Sequence, residues 1–447
     1  MTEAENAQQS GFRPALVTQI ELSQALPDIQ TRDGSAAYTH AQALVRIHGE
    51  PLGIIDLELD GGKVGAETYA PLVWEKFAEG ANRHLEADGL PCAEALPAAG
   101  LSAPQAGAAC EKARAAALAK APPATVIIAT RERAEQLERC LRSFKDIVYP
   151  SYELLVVDNN PATDATVELI KRMSAELPNL RYVRDDRRGV SWARDRGIDE
   201  AKGEIIAFTD DDVVVDQNWL IELARAFQVA GNVGCVTGPL VPMEMETEAQ
   251  ELFERYGGFN QGFNQRIFDL GEHRMTHIMY PYYVGECGTG ASMAFTRKAL
   301  LEIGGQDPAL GAGTLTLGGG DIESFFQVIM HGYQLVYTPT SLAWHQHRRS
   351  YDGLRRQIYC YGVGLTAYLT KCLVSDPRRI PGFLWRIPRG AVALIAFKLK
   401  KTPTVRGLDY PRELVSLERK GMLYGPLAYF RSIAYVRKAQ RAEKAAS

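Results

Sequence analysis

The chain has 447 residues, 46% hydrophobic and 23% charged, which excludes disorder as the dominant state and leaves room for two or three domains. Lys and Arg number 50 against 54 Asp and Glu, a formal net charge of −4, so no basic nucleic-acid-binding surface is expected. The 7 cysteines are odd in number and form no C-x-x-C, which gives no support to a disulfide framework or zinc knuckle and reads as free thiols in a reducing compartment.

The first residues, MTEAENAQQSGF, are polar and acidic with no apolar h-region, so no signal peptide is expected. No apolar run approaches the roughly 20 residues of a spanning helix. The expected location is cytoplasmic, with peripheral contact at the inner membrane face as a further reading. Residues 14–60 carry ALVTQIEL and ALVRIHGEPLGIIDLEL, the second reading as two strands around the turn-like His48-Gly49-Glu50-Pro51. Residues 68–90 read as a helix. Residues 1–90 are thus predicted to be a small α+β accessory domain without a chemical signature, its His48 and His84 structural or surface residues rather than ligands. Residues 91–123 are Ala- and Pro-rich and read as a linker holding a short helix.

From 124 strands and helices alternate. TVIIAT (125–130), YELLVVD (152–158), LRYVRD (180–185) and EIIAFTD (204–210) read as strands. RAEQLERCLRSF, DATVELIKRMSAEL and SWARDRGIDEAKG read as the helices between them. The pattern predicts an α/β domain over 124–370 with a mostly parallel central sheet. Residues 371–447 read as a helical extension. Within it, 381–401 places Trp385 and the run AVALIAF between basic residues, which reads as a buried helix or an interfacial amphipathic anchor.

Ligands of such sheets sit beyond the carboxyl ends of the strands. Three strands end there in Thr130-Arg131-Glu132-Arg133, Asp158-Asn159-Asn160 and Asp210-Asp211-Asp212. Each cluster alone has a bland reading as a turn or a cap. Together on one crevice they point to function. Adjacent carboxylates repel one another unless a cation joins them, and Mg²⁺ or Mn²⁺ suits such oxygen ligands. Asp321 opens a helix whose Ile322, Phe325, Phe326 and Ile329 share one face, after three glycines that let a substrate approach the backbone. A carboxylate there can take a proton from a hydroxyl. An N-cap role for it also stands. His273 and His277 are spaced i, i+4 without a third ligand and read as surface or packing residues.

These segments (TVIIATRER, LLVVDNN, RRGVSWARDRGIDEAKGEIIAFTDDDV, GTGASMAFTRKALLEIGGQDPALGAG and GGGDIESFFQVIMHGYQLVYTPTSLAWHQH) resemble the successive motifs of the family 2 glycosyltransferases, inverting enzymes of the GT-A fold. The resemblance covers roughly 124–370. It implies a nucleoside-diphosphate sugar donor, a glycan, glycolipid or small-molecule acceptor hydroxyl, and a Mg²⁺ or Mn²⁺ cofactor. It implies that Thr130, Arg131, Asp158, Arg194, Asp210 and Asp211 bind the nucleotide, and that Asp210 and Asp212 form the metal-binding D-x-D. His345 is the matching histidine that completes the metal site in some members. Asp321 matches the catalytic base, with Glu323 as fallback because Gly320 stands where the family has Glu. Asp195 stands where the family has Asn. Glu286 reads either as a sugar-hydroxyl acceptor or as a structural carboxylate. Arg348, Arg349, Arg355 and Arg356 read as a diphosphate clamp or a solvated helix face.

Two other functions fit the same sheet. A nucleotidyltransferase would carry a glycine-rich loop after the first strand, which TRERAEQ lacks. A non-catalytic nucleotide-sugar-binding protein would not need Asp158, Asp210, Asp212 and Asp321 all intact.

Overall fold

The computed structural model describes residues 12–31, 38–101, 107–386 and 410–446. An eight-stranded sheet forms the centre. Its spatial order is 266–268, 334–337, 233–237, 292–296, 205–210, 124–130, 152–159 and 180–185. The last four named are parallel neighbours, while Ser292–Thr296 runs antiparallel to both strands beside it. Four of the seven pairings in this sheet are parallel, in keeping with the alternation of strands and helices along the sequence.

The strand sequences explain why the sheet is covered on both faces. Residues alternate in direction along a strand. Ile127, Leu155 and Val157 join one core cluster, while Val126, Ile128, Leu154 and Val156 join the other. Apolar runs without polar alternation suit such a doubly covered sheet. The helix Ala134–Ser143 buries Leu137, Cys140 and Leu141, the face that its spacing predicts. Register then sets the site. Thr130 pairs with Asp158, and Ala129 with Asp210, so three strand ends finish at one level.

The N-terminal segment builds its own sheet. His40–Ile47 and Glu50–Glu58 form a hairpin, and Ala15–Glu21 adds in parallel beside His40–Ile47. The turn residues His48 and Gly49 have φ of 50° and 80°, the paired left-handed conformation that suits a tight hairpin. The helix Ala66–Ala87 covers this sheet with Tyr69, Val73, Phe77 and Leu85. The short helix in the alanine-rich segment is Ala109–Leu118.

This module is joined closely to the larger domain, at a separate three-stranded sheet of 213–215, 343–345 and 240–242 and the helix Trp219–Ala226. The Ala15 N–H bonds the Met245 carbonyl at 2.8 Å, and the Tyr38 hydroxyl bonds Glu246 at 3.0 Å. Arg46 pairs with Asp216 at 2.7 Å, and Arg114 with Glu222 at 2.7 Å. Leu44 packs with Val241 and Leu342.

At the other end, the helices Tyr351–Ser375 and Arg412–Ala446 pack together, and position 370 falls inside the first of them. Glycines bring the two backbones close. A Cβ at Gly362 would lie 2.1 Å from the Glu418 carbonyl oxygen, and one at Gly421 would lie 2.2 Å from that of Tyr359. Of the expected membrane anchor at 381–401, residues 387–401 lie outside the described residues. Among the described residues no helix is long and apolar enough to cross a membrane.

Candidate active site

The three aspartates at the end of Ile205–Asp210 have different surroundings. Asp210 is half-exposed, and its Oδ1 accepts a 3.0 Å bond from Arg194 Nη2. The same Arg194 nitrogen donates to the Gly290 carbonyl at 3.0 Å, and the Gly290 N–H donates to Asp321 Oδ2 at 3.1 Å. A Cβ at Gly290 would meet the Asp321 Cβ at 2.9 Å, so this close approach requires glycine. Asp210, Arg194, Gly290 and Asp321 therefore form one continuous chain of contacts.

Asp211 and Asp212 are buried. The Thr130 hydroxyl donates to Asp211 at 2.7 Å and Arg133 Nη1 at 2.5 Å, so the oxygens of Asp211 are used inside the protein. Burial pushes Asp211 up to about 7 against the pull of Arg133. Asp212 accepts from Arg133 Nη2 at 2.9 Å, with His345 Nε2 at 3.4 Å and Arg348 at 3.6 Å. Burial pushes Asp212 upward too, but His345, Arg133 and Arg348 outweigh it and hold this carboxyl well below the usual range. His345 is backed by His347 at 2.9 Å, which in turn meets Glu254 at 2.7 Å.

The neighbouring strand end supplies Asp158. Its carboxyl takes a 3.1 Å bond from the Tyr182 hydroxyl, while its buried Oδ1 has no hydrogen-bond partner. Burial raises this carboxyl above its ordinary value. A buried acceptor without a donor is costly, and a ligand N–H would relieve it. Asn159 bonds the Arg187 carbonyl at 2.6 Å and the Gly189 N–H at 2.9 Å, tying the loop 187–189 to the sheet edge.

The other candidate residues divide between this edge and places away from it. Arg131 bonds the Asn160 carbonyl at 3.2 Å, and it is Arg133 that reaches the carboxylates. Glu323 is turned into the protein, where it meets Lys371 at 2.5 Å and Gln327 at 2.7 Å, so it does not join Asp321. Positions i and i+2 of a helix lie on different faces, which is why only one of the two can serve the edge. The glycines before Asp321 admit a helix rather than a substrate: a Cβ at Gly319 would lie 2.5 Å from the Gly364 carbonyl oxygen. Of the four basic residues, Arg348 faces the site, whereas Arg349 pairs with Glu244 and Glu246, and Arg355 with Asp352 and Glu413. Glu286 pairs with Arg266 at 3.2 Å. His277 stacks on Tyr283 and does not sit on a helix.

Asp195 explains part of its own departure from the family pattern. It sits behind Arg194 and accepts the Gln306 N–H at 2.7 Å. Burial pushes it up to about 7, against roughly 3.9 in an unfolded chain. Between these values the native state keeps a proton that the unfolded state has lost, so this group lowers stability as pH rises through that window. Asp195→Asn is expected to remove the fall, raising the urea midpoint at pH 8 but not at pH 4. Equal midpoint changes at both pH values would show that Asp195 is not the titrating group.

Residues 125–295 match the model of the family "Glycosyl transferase family 2". The glycosyltransferase AglE of Haloferax volcanii is 37% identical over 102 residues, 22% of this chain and 33% of that protein. The glucosyl-dolichyl phosphate glucuronosyltransferase of the same organism is 26% identical over 193 residues, 42% of this chain and 56% of that protein. A match at 27% identity to an uncharacterised protein of Sinorhizobium fredii covers 51% of this chain and 25% of its own length. The chain thus spans between a quarter and somewhat over half of these relatives' lengths. A solved mannosyltransferase of Pyrobaculum calidifontis, in complex with GDP-Man and Mn²⁺, aligns over 70% of this chain and 86% of its own, at 20% identity and a TM-score of 0.42. Residues 125–295, which carry Thr130, Asp158 and the three aspartates 210–212, are thus similar to glycosyl transferase family 2.

Proposed function

We propose that the protein transfers a sugar from a nucleoside-diphosphate sugar to an acceptor hydroxyl, with inversion at the anomeric carbon. The observation that carries this reading is the contact chain from Asp210 through Arg194 and Gly290 to Asp321, which holds a D-x-D carboxylate and a second carboxylate, held by backbone N–H groups, at one edge.

Asp321 accepts the hydroxyl proton as the acceptor oxygen attacks. Its two oxygens are aimed by the N–H groups of Gly290 and Ile322, the latter at 2.9 Å. Asp158 offers its unpartnered Oδ1 to an N–H of the nucleotide base. Arg194 orients Asp210, and Arg348, exposed over nearly half of its side chain, reaches toward the diphosphate. Carboxylates of Asp210 and Asp212 with the His345 imidazole suit a hard divalent cation, Mg²⁺ or Mn²⁺. When bound, such an ion supplies neutralisation of the charge that develops on the departing diphosphate. The acceptor is a glycan, a glycolipid or a small molecule bearing the attacking hydroxyl.

The test is product release from a panel of UDP-, GDP- and dTDP-sugars with Mn²⁺ or Mg²⁺. Release of nucleoside diphosphate from one donor is the expected result. Sugar 1-phosphate instead, expelled by attack at the α-phosphate, would mean nucleotidyl transfer. No release from any donor, joined to silence in calorimetric titration with the same panel, would overturn the reading.

A further inference from the structure

A second convergence of side chains lies away from the carboxylate edge. His48 stands at the N-terminal hairpin tip, His84 and Asp88 lie four residues apart at the end of the helix Ala66–Ala87, and Cys110 opens the helix Ala109–Leu118. His48 Nδ1 is 2.8 Å from Asp88 Oδ2 and 3.1 Å from His84 Nε2. His84 Nε2 is 3.1 Å from that same Asp88 oxygen. Cys110 Sγ is 3.0 Å from it and 3.8 Å from His84 Nε2. Two imidazole nitrogens, one carboxylate oxygen and one sulfur therefore lie within 4.8 Å of one another.

Hydrogen bonding leaves this arrangement crowded. Three groups converge on a single Asp88 oxygen, while its other oxygen is taken by the Cys110 backbone N–H at 2.7 Å. A central cation would satisfy all four lone pairs. Tetrahedral bonds of about 2.0–2.3 Å place N and O ligands about 3.3 Å apart and sulfur about 3.6 Å from them. Five of the six separations, 2.8 to 3.8 Å, straddle those values, and the sixth, His48 to Cys110, lies within 4.8 Å.

The outer contacts hold the ligands in place. Glu50 Oε2 lies 3.6 Å from His84 Nδ1, on the side away from the cluster, which turns Nε2 inward. Glu21 accepts the N–H groups of His48 and Gly49 at 2.9 and 3.0 Å, which fixes the hairpin tip. His48, His84 and Asp88 side chains are 3%, 12% and 4% exposed. Four protein ligands in a closed setting describe a structural site, without the open position that a catalytic one keeps.

We propose that His48, His84, Asp88 and Cys110 form a structural site for one tetrahedral divalent metal ion of the zinc class. Sulfur and imidazole ligands separate it from the oxygen-rich edge at Asp210 and Asp212, which suits harder ions. Loading takes the Cys110 thiol proton, which passes to solvent as the thiolate bonds the metal. The ion then joins three chain segments distant in sequence. One of them is the helix Ala109–Leu118, whose Arg114 grips Glu222 beneath the large sheet.

The experiment uses the full chain, stripped with a chelator and reloaded with Zn²⁺ or Co²⁺. One equivalent of zinc per chain is expected to survive gel filtration, and cobalt is expected to show a thiolate-to-metal charge-transfer band. Asp212→Ala should retain both signals. Cys110→Ser should lose the band and His84→Ala should weaken zinc binding at least about tenfold, the scale of perturbing such a site. Folded wild-type chain that takes up no stoichiometric zinc overturns the proposal. So does a cobalt spectrum without the thiolate band, or zinc that Asp212→Ala loses and Cys110→Ser keeps.

Discussion

Asp321→Asn is expected to lower the turnover of sugar transfer by about 10²- to 10⁴-fold, the span of general-base contributions, while donor affinity stays unchanged. The amide keeps one oxygen to accept the Gly290 N–H but cannot take the acceptor proton. Its NH₂ would also face a backbone donor, either Gly290 or Ile322, so a modest loss of stability accompanies the change. Single-turnover kinetics with calorimetric donor titration separates the two effects. Undiminished turnover would remove Asp321 from the base role. Glu323→Gln is the matched control. It leaves Lys371 its Asp307 partner at 2.8 Å and is expected to cost stability rather than turnover. Loss of turnover in a folded Glu323→Gln protein would move the base assignment to Glu323.

Asp212→Ala is expected to make nucleotide affinity indifferent to Mn²⁺ and to cut transfer by at least about two orders of magnitude, equivalent to a few kcal/mol of lost charge stabilisation. The reasoning is electrostatic. Asp212 is the carboxylate around which Arg133, His345 and Arg348 gather, and its removal leaves those groups without their common anion. Nucleotide titrations with and without Mn²⁺ read the effect directly. A metal-dependent rise in affinity that survives in Asp212→Ala would refute its part in the metal site.

The strands could be read from the sequence because each was a short apolar run closed by polar residues, and parallel pairing then brought Thr130, Asp158 and Asp210 to one edge. What local pattern did not carry was side-chain direction. Glu132 takes a left-handed φ of 53°, and after that bend Arg133 rather than Arg131 reaches Asp211 and Asp212. No spacing rule announces such a bend. Glu323 and Asp321 were separable in principle, because two helical steps turn a side chain well away from its neighbour. The glycines at 318–320 suggest room for a ligand, but the space beside Gly318 and Gly319 is filled by Gly364 of the long helix after the sheet, and that beside Gly320 by Ser191 and Gly311. The His48–Cys110 group was hidden by distance along the chain. Its one local trace is the i, i+4 pair His84 and Asp88, a common spacing that says little without His48 and Cys110 beside it.

The joint between the N-terminal module and the larger domain bears on how the protein can be dissected. Asp216 and Glu222 are 7% and 3% exposed, and their arginines come from Arg46 and Arg114, both ahead of the first large-sheet strand. A fragment beginning at 124 would open those two carboxylates to water and strip the cover from Val241 and Leu342. The two parts are thus less like beads on a string than like halves of a mortise joint, and a fragment shortened to begin at 124 would carry a raw face prone to self-association.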